Sequence, residues 1–477
     1  MNRRNFLRSS AFAAGALSFS ARSWSQVTGA NDDIRVAVIG FNGQGKSHIE
    51  GFRKIPGVRL TALCDVDSTI LDREAEKFKG RNEPIETYTD IRKLLESKNV
   101  DVISIATPNH WHALGAVWAI QAGKDVYVEK PVSHNVWEGR KIVEAARKHH
   151  RIVQTGTQSR SNPGIIEAMQ FLHQEKLGKI KLARGLCYKR RASIGKVSGP
   201  QQPPASVDYD LWCGPAPKEP LMRSKLHYDW HWVWPTGNGD LGNQGIHQMD
   251  LARWALQEKE LSPAVFSFGG RFGYEDDGTT PNTQVVYHDY KKAPLIFEVR
   301  GLPSKTDSKN MDNYRGSSVG LIVHCENGYM SIPTYHSATA FDNNNNVIQK
   351  FDGTASHHEN FINAVRSRKH TDLSADILEG HLSSALCHTG NISYRLGRKA
   401  SPEAVRESIK GDKEAEETFT RMAEHLVANG VDLNTTPAIL GPVLKMNPGK
   451  ETYKANNEAN QMLTREYRSP YIVPEKV

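Results

Sequence analysis

The sequence has no apolar run approaching the roughly 18 uninterrupted residues that a membrane-spanning helix needs, which excludes a transmembrane class. Cysteine is scarce: Cys64, Cys187, Cys213, Cys325 and Cys387 are widely spaced and never paired as CxxC, so neither a zinc site nor a disulfide framework is expected. Charge of one sign is also missing. The 61 Lys and Arg against 53 Asp and Glu leave +8, and Arg3, Arg4, Arg8 and Arg22 carry half of that excess within the first 25 residues. The other basic residues are scattered among acids, which excludes a nucleic-acid footprint. There are no internal repeats, and the Pro-rich stretch Ser198 to Ser206 and the Asn-rich Asp342 to Asn346 read as loops or turns. What remains is an ordinary globular composition in 477 residues, too long for one domain.

The N-terminus is the first positive signal. Asn2-Arg3-Arg4-Asn5-Phe6-Leu7-Arg8, followed by a short apolar stretch from Ala11 to Phe19, resembles a bacterial twin-arginine (Tat) export leader. Ser23-Trp24-Ser25 supplies small residues for cleavage, so we expect a signal peptide over residues 1–25, a mature start near Gln26, and periplasmic localisation, with membrane association as the alternative.

From Arg35 onward β-branched runs alternate with helical stretches. The pattern predicts strands at Arg35 to Ile39, Val58 to Cys64, Asp101 to Ala106, Asp125 to Val128 and Ile152 to Thr155, with helices between them, including one from His112 to Ala122. Such alternation means a parallel sheet. Beyond Gly156 the rhythm changes to strand-like runs at Ile180 to Tyr188, Ala264 to Gly273, Thr283 to Tyr290, Pro294 to Gly301, Ser318 to His324 and Gly328 to Ile332, separated by long loops. The expected class is α/β: an N-terminal Rossmann domain over 34–155, an α+β domain with a largely antiparallel open sheet over 156–400, and a helical and irregular extension over 401–477.

Gly40, Gly43 and Gly45 form G-x-x-G-x-G between the first strand and its helix, and Asp65 ends the next strand. Glycines let the backbone, here with Gln44, approach a pyrophosphate, and a helix N-terminus offers free N–H donors. An acid at Asp65 accepts hydrogen bonds from ribose hydroxyls and repels a 2′-phosphate, so NAD is favoured over NADP, with Asp67 adding to that bias.

Three further segments carry a family resemblance. Thr107-Pro108-Asn109-His110-Trp111-His112 with Glu129-Lys130-Pro131, and Gly242-Asn243-Gln244-Gly245-Ile246-His247-Gln248-Met249-Asp250, resemble motifs of the Gfo/Idh/MocA oxidoreductases, named for glucose-fructose oxidoreductase and inositol dehydrogenase. The resemblance implies cofactor contacts from Thr107, Asn109, His112, Glu129 and Lys130. It also implies that Lys130 lies beside the nicotinamide and the substrate hydroxyl, that His247 is the acid/base, and that a homo-oligomer forms through the open sheet. Where the family usually has an aspartate four residues before the histidine, this chain has Asn243, which orients but cannot ionise. Asp240 or Asp229 is expected to stand in for it, and Asp250, one turn beyond His247, to face the same pocket.

For the substrate, His227-Tyr228-Asp229-Trp230-His231-Trp232-Val233-Trp234 mixes rings with polar groups in the manner of sugar sites, and strand-like alternation would put Tyr228, Trp230, Trp232 and Trp234 on one face. Asp229, Trp230, His231, Asn243, His247 and Tyr188 are the expected substrate contacts, with Lys189, Arg190, Thr157, Gln158 and Arg160 as further candidates and no metal. His357, His358 and Glu359 are expected to open a helix. Three functions follow: a dehydrogenase acting on a sugar, glycoside or cyclitol; a redox glycosidase that oxidises transiently, eliminates and returns the hydride; and a non-catalytic sugar-binding protein. An exported member would cross the membrane folded around its NAD and keep it.

Overall fold

The apolar runs between Ile34 and Thr155 are buried on both faces, as strands covered by helices on each side must be. The structure is a computed structural model that describes residues 33–477, so the leader and the start near Gln26 lie outside the described residues. Strands β1 (Ile34–Ile39), β2 (Val58–Cys64), β3 (Glu86–Tyr88), β4 (Val102–Ile105), β5 (Asp125–Val128) and β6 (Val153–Thr155) pair in parallel in the order β3-β2-β1-β4-β5-β6. This is the doubly wound Rossmann order, whose direction reverses between β1 and β4 and leaves a crevice at the carboxyl ends of the strands. Alternation along β1 divides its core: Val36 and Val38 pack with Ile49 and Phe52, while Ala37 and Ile39 pack with Ala113 and Leu114.

The second sheet has twelve strands. Its main path runs β14-β13-β12-β11-β7-β10-β9-β8-β16-β15, with β7 (Ile180–Tyr188), β8 (Ala264–Gly270), β9 (Thr283–His288), β10 (Leu295–Arg300), β11 (Val319–Cys325), β12 (Gly328–Ile332), β13 (Ser337–Asp342), β14 (Val347–Asp352), β15 (Arg398–Ala400) and β16 (Ala438–Leu440). Among the described pairings of this sheet, all are antiparallel except β7 with β10. The Asn-rich segment is the turn between β13 and β14, which adds a hairpin to the strands expected from sequence.

One face of this sheet packs on the helices Pro163–His173, Ile246–Leu256 and Ile377–Arg395. The other is partly covered by the chain itself: Val405 and Ile409 from the helix Pro402–Ser408, and Phe419, Met422 and Leu426 from the helix Lys413–Ala428, close over Leu182, Phe268, Val285 and Ile296. The surface on which the expected homo-oligomer rests is therefore occupied in part by the C-terminal region. That region is more than helix. Leu444–Asn447 is a further strand paired with β8, and Tyr471, Val473 and Val477 pack into the Rossmann core beside Ile91, Leu94 and Trp111.

Candidate active site

The crevice holds a cavity of about 400 Å³, lined at its floor by the ends of β1, β2, β4 and β5. Gly40 has φ +74°, and a Cβ there would lie 2.9 Å from the Thr107 nitrogen. At Gly45 a Cβ would lie 2.1 Å from the Gly40 carbonyl oxygen, so only glycine lets turn and helix close on each other. Gly43 differs, because its missing side chain leaves open space above the helix Gly45–Arg53, whose N-terminus no side chain caps. Open space beside uncapped N–H groups suits a phosphate.

Asp65 lies at the far end of the floor and is only 9% exposed. Its carboxylate accepts from the Phe41 and Asp67 nitrogens at 3.2 and 3.0 Å, and burial raises its pKa against those bonds. Asp67 does not add to this wall. It caps Thr69 and pairs with His227 at 3.0 Å, because helix N-capping holds its carboxylate outside the cavity.

At the other end β5 delivers Glu129 and Lys130. Glu129 is buried and meets His48 at 3.0 Å, which holds its carboxyl down at about 2 despite burial, and His48 in turn meets Ser104 at 2.8 Å. Gly156 makes room for this carboxylate, since a Cβ there would lie 2.6 Å from it. The Lys130 ammonium donates to the backbone carbonyl of Asn243 at 2.8 Å, and burial lowers its pKa. His112 faces the Pro131 and Thr107 carbonyls at 2.6 and 2.8 Å, tying the two turns together. Asn109 donates to Asn238 at 2.9 Å, and Thr107 Oγ1 is buried with no partner among the described residues.

A lid closes over the cavity. Residues 189–240 leave β7, fold around Val207, Trp212, Leu221 and Leu226, and bring Leu211, Trp212, His227, Tyr228, Trp230 and His231 onto it. The lid is pinned to the Rossmann side by Ser68 donating to the Ser206 carbonyl and by His110 and Trp111 side chains at the Trp212 and Leu211 carbonyls.

Residues 34–157 match the family described as the NAD-binding Rossmann fold of the Gfo/Idh/MocA oxidoreductases, and residues 178–425 match its C-terminal alpha/beta domain. The chain belongs to this family. Its Rossmann domain binds NAD, and the open space at Gly43, the uncapped helix, Asp65 and the unpartnered Thr107 hydroxyl fit that nucleotide. A glycosyl hydrolase family 109 protein of Shewanella putrefaciens is 37% identical over 122 residues, 24% of this chain and 27% of the relative. One of Shewanella baltica is 35% identical over the same length, so the chain matches about a quarter of the length of these relatives. The fold is shared with the WlbA dehydrogenase of Bordetella pertussis, solved with NADH and UDP-GlcNAcA, at TM-score 0.55 and 18% identity over 74% of this chain and 94% of that one. It is also shared with an oxidoreductase domain protein of Kribbella flavida, at TM-score 0.56 and 17% identity over 75% and 96%.

Within this family member the expected cofactor residues gather: Gly40, Gly43, Gln44, Asp65, Thr107, Asn109, His112, Glu129 and Lys130 line the cavity, and Gly45 buttresses the turn behind them. Asn243, Trp230 and His231 line it too, and the Asn243 side chain has no hydrogen-bond partner among the described residues. His247 is not on this lining: it stands in the first turn of its helix, 4.9 Å from the Tyr335 ring, with Nδ1 buried and without a partner among the described residues. Burial and the nearby Lys130 charge push its pKa down to about 3.

Four expectations need correction. Tyr188 is not a pocket residue: its hydroxyl donates to Glu298 at 2.6 Å in an ion cluster with Arg184 and Arg421 on the opposite sheet face. Period-2 alternation instead puts Lys189 on the other sheet face, where it stays exposed, off the cavity lining, and donates to Gln244 at 3.1 Å. Asp250 does not face the cavity; it is 1% exposed and accepts three contacts of 2.8–3.0 Å from Arg160 and one of 2.7 Å from Ser383. The proposed stand-ins for the missing aspartate do not replace it. Asp240 is clasped by Arg191 at 2.8 and 2.6 Å, and Asp229 lies off the cavity. The aromatic segment is a 3₁₀ turn, Asp229–Trp232, so neighbours meet instead of alternate residues: Trp230 stacks on His231 at 3.5 Å. His357 is also structural, held by Ser161 at 2.6 Å, while Ser356 caps its helix.

His48, Tyr335 and Gln244 were not singled out as chemical groups by sequence. Tyr335 sits between β12 and β13 and accepts from Gln244 at 2.9 Å, a contact across 91 positions that no local pattern announces.

Burial also sets a pH dependence. His110, His247, His288 and His388 are all nearly inaccessible and pushed down to about 3. Against an unfolded value of about 6.5, the unfolded chain binds protons in this window that the folded chain refuses. Their stabilising neutrality is therefore fully present above about pH 6.5 and is lost on acidification, by about 1.4 kcal/mol per pH unit for each histidine. Urea midpoints are expected to fall steadily from about pH 7 to about pH 5, and a flat profile contradicts this.

Proposed function

We propose that the protein oxidises a CH–OH group of a sugar, glycoside or cyclitol with tightly held NAD. The observation that carries this reading is the Lys130 ammonium, fixed by the Asn243 carbonyl at 2.8 Å on the cavity lining, with His247 within reach of its charge. Bound NAD supplies the hydride acceptor. Lys130 donates to the substrate oxygen and stabilises the alkoxide as it develops. His247, neutral across the physiological range, takes the hydroxyl proton. Asn243 orients the hydroxyl, and Trp230 and His231 exclude water from above.

Elimination and return of the hydride, a redox glycosidase, is the second reading. It is supported by the names of the Shewanella relatives. Purified protein is to be incubated with a panel of methyl and nitrophenyl glycosides. A keto-sugar with matching NAD reduction supports the dehydrogenase, release of the aglycone without net reduction supports the glycosidase, and neither product from any glycoside contradicts both.

Retention of NAD accounts for activity outside the cytoplasm, where the twin-arginine leader would send the folded protein. A strap supports it: Arg468 donates to the Asp210 carboxylate and carbonyl at 2.8 Å each, and Tyr471 anchors in the Rossmann core, holding the short helix that carries Leu211 and Trp212 over the cavity. Removing residues 467–477 is expected to raise the NAD dissociation rate about tenfold or more. Nucleotide retained after gel filtration measures it, and unchanged retention contradicts the role of the strap.

A further inference from the structure

The aromatic segment reaches beyond the reaction cleft. Trp234, its last tryptophan, turns to a second cavity of about 280 Å³ on the far side of Asn238. Asn238 lines this second cavity: its amide nitrogen donates to the His134 carbonyl at 3.0 Å, and its oxygen accepts from Asn109 of the NAD cavity.

The opposite wall is one stripe of the helix Ile377–Arg395. His388, Asn391, Ile392 and Arg395 recur at the i, i+3, i+4, i+7 spacing of a single helix face. Three of the four are polar, and they face the cavity. His388 is 3% exposed, and its Nδ1 has no partner among the described residues. Arg395 makes no hydrogen bond or ion pair among them, and its guanidinium lies 5.2 Å from the Trp234 ring centroid. A buried polar atom without a partner calls for a ligand or an ordered water.

Charge decides the ligand class. Arg465, on the third wall, lies 3.3 Å from Glu138, and the formal charge of Arg395 is offset by that of Glu466, which lines the same cavity without pairing with it. No net charge remains to attract an anion. An aromatic ring beside unclaimed donors and acceptors from Arg, His and Asn matches the apolar C–H face and hydroxyl edge of a pyranose.

We propose that this cavity is a second, non-reacting site for a neutral saccharide unit, built on Trp234, His388 and Arg395. It stands on the lining of this cavity alone and holds whatever chemistry Lys130 performs. The test is saturation-transfer NMR on the purified NAD-containing protein with methyl α-glucoside, methyl β-galactoside and N-acetylglucosamine as probes, together with crystals soaked in the same three sugars. Transfer to at least one probe is expected to persist in Lys130→Ala and to fall about tenfold in both Trp234→Ala and Arg395→Gln, with bound NAD unchanged in the latter two. The soaked crystals are expected to show a sugar ring against Trp234. Full transfer in both cavity variants, no transfer from any probe to the wild-type protein, or water alone in the soaked cavity overturns the proposal.

Discussion

Replacing Lys130 by alanine is expected to lower turnover about 10²- to 10³-fold while the protein keeps its NAD. The ammonium is held at 2.8 Å from the Asn243 carbonyl, so its position is set before substrate arrives, and a fixed cation at a developing alkoxide needs no reorganisation during reaction. The wall behind it does not depend on it, because Glu129 is tied to His48 and His112 bridges the adjoining turns. kcat on whichever glycoside the wild type converts is the measurement, with nucleotide content after denaturation as its control. Full turnover in Lys130→Ala moves the chemistry elsewhere.

Asp250→Ala is expected to behave in the opposite way, costing about 3 kcal/mol or more of stability and roughly 5 °C in Tm, with kcat of the folded protein within about threefold of wild type. Removing the carboxylate leaves the guanidinium of Arg160 buried, with only Glu379 at 3.1 Å to answer it. Asp250→Asn keeps one acceptor and should lose less. Thermal unfolding and kcat measured on the same preparations separate the roles: intact stability with lost turnover would return Asp250 to the active site.

Lys130 and Asp250 differ in how far sequence could place them. The glycine turn, Asp65 and the strand-ending Glu129-Lys130 are local features, and the strand-turn-helix rhythm that carries them puts them at one crevice. Tyr188 and Lys189 show the limit. Both stand at a strand end, and a one-residue difference in parity sends one to Glu298 and the other to Gln244 on the opposite sheet face. Asp250 was assigned to the site by its spacing from His247, but a buried arginine from the segment after β6 claims it. The hairpin β13–β14 escaped because Ala338 and Ala340 give a weak period-2 signal, and because in β14 only Phe351 is buried. The lid over the cavity depends on contacts more than 100 positions apart, such as Ser206 with Ser68 and Trp212 with His110, which no window of sequence contains.

The central claim is an oxidoreductase that carries its own nucleotide. The most direct measurement is to purify the protein without added cofactor, denature it, and quantify the nucleotide released by chromatography. About one NAD per chain, with little NADP, is the result expected from the enclosed cavity, the Asp65 wall and the strapped lid. Protein that releases no nucleotide and shows no binding when NAD is added would contradict it.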